Sequence, residues 1–277
     1  MGLFHARAIA FVAICAVILQ SSRIGAEPIP VHHIEGVTFG FLILRNLDGE
    51  AVAYGESTEV IKQDHGTKEN EEAGLVVSDL LFHFRDGSFY EEVTKFTQHG
   101  KFRLVSDQVE KKGPSFKQAS KSWIDVRTGT VTVQTFDKGN EKTVTSHLTL
   151  PDDVANGLLL ILLKNVDPSV ETTVSYVAAS TKPRIVKWTI SPAPEKTFKF
   201  GFITLKAQQY SVKTKIGGAA GMVTPLIGKQ PPDLHVWLVK SEAPTFLEYE
   251  GPLVEEGPLW RIEIAAPEHD WTKAKTE

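Results

Sequence analysis

The chain has 277 residues, with 34 acidic and 30 basic side chains, 42% hydrophobic residues and one cysteine. A formal charge of −4 leaves no electrostatic footprint for nucleic acid, and one cysteine cannot build a disulfide framework. The length suits a single large β-domain, because all-β domains often run undivided to about 250 residues.

The first 26 residues read as a secretory signal peptide. Arg7 supplies the positive start, Ala8–Leu19 the apolar stretch, and Ile24-Gly25-Ala26 a small-residue cleavage site before Glu27. The apolar run is short for a membrane anchor, and Ile14 before Cys15 is a poor fit to a lipoprotein site. A cut after Ala26 predicts a periplasmic or secreted protein. It removes Arg7, Arg23 and Cys15, leaving 28 basic residues against 34 acids, a charge of −6 and no thiol. Stability must then come from the core.

From Glu27 onward the pattern is that of strands. After a Pro- and His-bearing lead-in, Val37–Leu47 alternates with Phe39, Phe41 and Ile43 on one face. Asp48-Gly49 is a hairpin signal, and Ala51–Ile61 returns from it. Gln63–Ala73 is polar and charged and reads as a solvated loop. Leu75–Arg85, the Asp86-Gly87 turn, Ser88–Gln98, the His99-Gly100 turn and Lys101–Val109 follow. Phe116–Val126, Thr130–Phe136 and Glu141–Leu150 complete the first run.

The segment from Leu150 to Asp167 breaks the pattern and predicts one helix, over about 153–165. Pro151 suits the first turn, Asp152 or Asp153 the cap, and Lys164, Asn165 and Pro168 the other end. Leu158–Leu163 is apolar on every side, which demands burial, and the run is far too short for a bilayer span. The strands then resume: Val170–Ala179, Arg184–Ser191, Thr197–Lys215, Asp233–Ser241, Thr245–Glu250 and Leu259–Ala265. Pro267–Glu277 reads as a flexible tail. The expected architecture is mainly β: one domain over 27–266, a large antiparallel curved sheet forming a half-barrel or barrel, with the helix in its concave side.

Motifs for chemistry are sparse. There is no G-x-S-x-G elbow, H-E-x-x-H pair or P-loop. Gly217-Gly218-Ala219-Ala220-Gly221 is followed by Pro225 and Pro231-Pro232 rather than by a helix, and so reads as a flexible connection. His32, His33, His65, His83, His99, His147 and His235 are dispersed without the pairing that zinc sites favour, so no metal and no cofactor are expected. Asp79, Asp86, Glu91 and Glu92 could supply a general acid and base, but acids flanking a hairpin are usually solvated. The tryptophans Trp123, Trp188, Trp237 and Trp260 fall in strands, and Trp271 in the tail. Aromatics inside a curved sheet either fill the core or line an apolar pocket. On the pocket reading, Trp123, Trp237 and Trp260 face the helix residues Leu159 and Leu162, and these five are the candidate ligand-binding residues.

Several local motifs occur in a distinctive order. These are Phe84-Arg85-Asp86-Gly87-Ser88, then Glu91-Glu92-Val93-Thr94-Lys95-Phe96-Thr97-Gln98, then Lys112-Gly113-Pro114-Ser115-Phe116. The Leu150-Pro151 and Ala155-Asn156-Gly157 segment follows, with Val236-Trp237-Leu238, Ala243-Pro244 and Gly257-Pro258-Leu259-Trp260-Arg261-Ile262 at the end. In this order the chain resembles a group of uncharacterised bacterial envelope proteins, which carries no catalytic residues to transfer. More distantly, the helix followed by strands is similar to a half-barrel domain-of-unknown-function family. That family is built like the periplasmic lipoprotein carriers, which hold acyl chains between an unclosed barrel and an apolar helix. That likeness is one of fold and does not by itself assign function. A Leu-rich helix with no polar face inside an aromatic-rich β-chain is what points to a non-enzymatic periplasmic protein binding a lipid or acyl chain between sheet and helix. A hydrolase with a dispersed His/Asp/Glu site and a structural or partner-binding envelope protein are the alternatives.

Overall fold

The computed structural model describes residues 27–62, 74–137, 139–200, 203–216, 231–254 and 257–265. The predicted signal peptide, Cys15, the charged segment Gln63–Ala73, the Gly217–Gly221 connection and the tail with Trp271 lie outside the described residues.

The chain builds 14 strands in one antiparallel sheet. The first eight are β1 (Thr38–Arg45), β2 (Ala51–Lys62), β3 (Leu75–Phe84), β4 (Phe89–His99), β5 (Lys101–Lys112), β6 (Ala119–Asp125), β7 (Thr130–Asp137) and β8 (Asn140–His147). They form a meander running from the middle of the sheet to one edge. A short helix, α1 (Leu159–Leu163), lies on the way to the opposite edge. There β9 (Thr172–Ala178) begins a second meander through β10 (Arg184–Phe200), β11 (Ile203–Lys215), β12 (Leu234–Val239), β13 (Thr245–Pro252) and β14 (Leu259–Ile264). β14 pairs with β1, from Leu42 opposite Ile264 to Arg45 opposite Arg261, and joins the two meanders. The sheet is curved and open, with β8 and β9 as its edges. Of the two closures expected, half-barrel and barrel, the open form is the one found.

Val, Ile, Thr, Phe and Tyr dominate the strands, as their shape suits a pleated, half-buried surface. Residues paired across neighbouring strands share a face, and Leu44, Ala53, Phe84 and Phe82 mark the buried one. Phe39 and Phe41 belong to the other face and stay 57% and 60% exposed, while Leu42 and Leu44, which follow them, turn inward. At the β3–β4 turn Gly87 takes φ +84°, which a side chain would resist. Beside it Asp86 accepts hydrogen bonds from the Ser88 amide and the Ser115 hydroxyl.

Two elements differ from expectation. The sequence predicts separate strands over Arg184–Ser191 and Thr197–Lys215. Instead β10 runs on through Pro192 and Pro194 to Phe200 and β11 begins only at Ile203, so the second predicted strand is divided between them. β9 covers β10 only as far as Ile190, so the prolines face an edge where a missing N–H costs nothing. The helix is also shorter than 153–165, with five α-helical residues. Of the two residues read as its cap, Asp152 pairs with Arg103 and Asp153 serves the edge of β9. Ser175 donates its amide to the Asp153 carbonyl and its hydroxyl to the Asp153 carboxylate, and the Ala155 amide returns a bond to the Ser175 carbonyl. The Asn156 side chain pairs with both the amide and the carbonyl of Val177. This clamp covers the edge that an open sheet would otherwise leave unpaired.

Candidate functional site

α1 packs into the concave side of the sheet through Ile161, Leu162 and Leu163, all 3% exposed or less. Its far end is held by Asn165, whose side-chain carbonyl accepts the amides of His32 and His33 while its amide donates to the Ile161 carbonyl. Lys164 pairs with Glu35 at 2.8 Å. At its near end Gly157, at φ +66°, brings the backbone so close to Thr94 that a side chain would not fit. The helix is therefore fixed at both ends, and it does not fill the space beneath it.

That space is a cavity of about 200 Å³ between α1, the inner faces of β2–β4, and β9–β14. One side is apolar: Leu159, Leu160 and Ile161 from the helix, Val186 and Trp188 from β10, and Ile262 from β14. Tyr176 stacks on Trp188 with ring centres 4.0 Å apart and extends this side. The other side is polar, and strand register builds it. Thr38, Glu59, Ser78, Thr94 and Asp107 stand opposite one another across β1 to β5, so all face inward in one row. Ser57, Leu80 and Glu92 form the adjacent row. Among these, Ser57, Glu59, Ser78, Glu92 and Thr94 line the cavity, together with Tyr90.

The carboxylates of these rows are poorly compensated. Glu92 accepts a hydrogen bond from the Tyr90 hydroxyl at 3.2 Å, but burial outweighs it and pushes the carboxyl up to about 7. Asp107 is raised first by burial and then by Glu92, against the bond that Thr94 donates at 2.9 Å. Glu59 is pushed up to about 7, by burial and then by Glu35 beside it, although Lys164 opposes this and Thr38 donates to it at 3.0 Å. Glu35 itself is 5% exposed and hydrogen-bonds to the Glu59 carboxyl, a contact that also holds the Glu59 proton. Burial also raises the hydroxyls of Tyr90 and Tyr249, so both stay protonated. Groups of this kind, displaced in a cleft by burial, mark a candidate site.

The five residues proposed from sequence are not gathered in one place. Leu159 lines the cavity. Leu162 and Trp260 lie in the main core behind it, where the Trp260 ring meets Phe84 at 5.8 Å. Trp123 neighbours the inward-facing Ile124 and so takes the opposite face, half-buried. Trp237 sits in a separate small cluster with Ala207 and Leu247. The tryptophan that does line the cavity is Trp188, and of the four acids considered for catalysis only Glu92 lines it. Asp79 and Glu91 are on the other face, one residue out of register with Leu80 and Glu92. Glu59, Tyr90, Thr94 and Tyr176 escaped notice because alternation shows that two faces exist without saying which is concave.

Among the described residues no group of three His, Cys, Asp or Glu side chains could hold a metal, and no histidine lines the cavity. No helix there is long and apolar enough to cross a membrane. No family model, curated protein or solved structure matches the chain.

Proposed function

We propose that this is a non-enzymatic periplasmic protein that binds an apolar ligand, a lipid or acyl chain, between its curved sheet and α1. The observation that carries the reading is the cavity of about 200 Å³ under a helix whose exposed-side residues Leu159 and Leu160 are as apolar as its buried ones. An apolar cavity of about 150 Å³ stays dry and admits benzene, so this one suits a short or medium alkyl segment. Leaving it empty forfeits the contacts that its lining side chains would make with a filling group. The predicted signal peptide supports the location.

The test is native mass spectrometry of the protein exported to a bacterial periplasm, followed by solvent extraction. A stoichiometric apolar molecule is expected. The Leu159→Asp/Leu160→Asp variant should fold yet lose it, because Ile161, Leu162 and Leu163 keep the packing. A clean ligand-free mass from gently purified, folded protein would overturn the reading.

A further inference from the structure

The cavity has one apolar and one polar side, which asks for an amphiphile, and the polar side says which kind. Its ionisable lining has Glu59 and Glu92 on the polar side, backed by Glu35 and Asp107, with Tyr90 and Tyr249 beside Glu92, and Tyr176 and the cation Arg184 on the opposite β9–β10 wall. The cations near it are Lys164, bound to Glu35, and Arg184 on the β10 wall. None of the influences on Glu92 or Asp107 is a cation. Glu35, on a side chain 5% exposed, is bonded by Lys164 and by the protonated carboxyl of Glu59, a bond lost when Glu59 ionises. Once these carboxyls ionise, an anionic head would meet like charge on this side, and a head without donors would compensate none of them. A primary ammonium brings three donors and a positive charge in a compact group.

We infer that the cavity selects a cationic amphiphile, its alkyl part against Leu159, Leu160 and Trp188 and its ammonium on the Glu59–Glu92 side of the sheet. This rests on the reading of the cavity as a ligand site and narrows it to one class of head group. In the unliganded protein the carboxyls of Glu59 and Glu92 hold protons below about pH 7. The arriving ammonium takes over their compensation, and the displaced protons pass to the buffer. Affinity therefore rises as pH climbs through about 7, while a simple alkylamine stays charged until about 10.

The experiment is calorimetric titration of the full mature protein with octylammonium, octanol and octanoate at pH 6 and pH 8, in buffers of differing ionisation enthalpy. The expected result is octylammonium binding at least about tenfold more tightly than the other two at pH 8. It should bind more weakly at pH 6, with measurable proton release near pH 7. Glu92→Gln, nearly isosteric and so compatible with the fold, should reduce the preference for octylammonium over octanol about tenfold. Octanol or octanoate binding as well as octylammonium would overturn the head-group assignment and leave the apolar cavity standing. Binding by none of the three would overturn both.

Discussion

Glu92 shows how one buried carboxyl sets a property of the whole molecule. Its pKa in the fold is about 7 against an ordinary 4.5, and burial is the cause. A carboxyl raised on folding binds its proton more tightly in the native state. Its contribution to stability is therefore fully present below about pH 4.5 and lost as pH rises through about 7. A displacement of that size corresponds to on the order of 3 kcal/mol. Glu92→Gln cannot ionise, so it should match the parent at pH 5 and exceed it at pH 8 by about 2 kcal/mol. Urea midpoints at the two pH values decide this, and parallel behaviour of parent and variant would refute it. The alkaline loss in the parent is the cost of keeping an ionisable group in the cavity wall.

At the scale of elements, α1 owes its existence to tertiary packing rather than to helix propensity. Five residues are too few to be helical alone in water, and burial of Ile161, Leu162 and Leu163 holds them. The clamp of Asp153 and Asn156 on β9 and the turn at Gly157 decide where the helix begins. Gly157→Ala adds a side chain in the left-handed region and drives it into Thr94 Oγ1 and Asp107 Oδ1. The expected loss is about 3 kcal/mol, combining backbone strain with overpacking. Thr94→Ala should relieve the clash, so the double variant should lose less than the sum of the two single losses in urea denaturation. Strict additivity would show that the close approach does not matter.

On the scale of the molecule, the joint between β1 and β14 bears the architecture. Each meander is built from local hairpins, but Leu42 meets Ile264 across more than two hundred residues, and this joint is what makes one sheet of two. Such a contact is expensive in loop-closure entropy and cannot form early. Removal of residues 257–277 takes β14 away and exposes the central edges of β1 and β13. We expect the truncated protein to lose its cooperative urea transition and its near-ultraviolet circular dichroism. A cooperative transition with an undiminished denaturant slope would show that the halves fold independently. Of the two outer edges, β9 is clamped, while β8 presents the exposed polar residues Asn140–His147, a composition that discourages edge-to-edge association.

Much of the fold was legible in the residues themselves. Alternation with Asp-Gly and Thr-Gly turns located β1 to β9 and β12 to β14 to within a few residues, because side-chain period and turn chemistry are local properties, whereas the single strand expected over Thr197–Lys215 is divided between β10 and β11. The all-apolar run Leu158–Leu163 likewise required burial wherever it ended up. The length of α1 was not local: Asp153 suits a helix start, and only β9 beside it turned it, with Asn156, into an edge clamp. The interruption expected between Ser191 and Thr197 is absent because Pro192 and Pro194 lie past Ile190, where β9 no longer pairs with β10. The cavity was decided entirely by tertiary structure, because a strand's sequence distinguishes its two faces without saying which curves inward. Register across five strands aligned Thr38, Glu59, Ser78, Thr94 and Asp107 in one row, although no two of them lie within ten residues in sequence, and the same alternation sent Trp123 away from the cavity while bringing Trp188 into it.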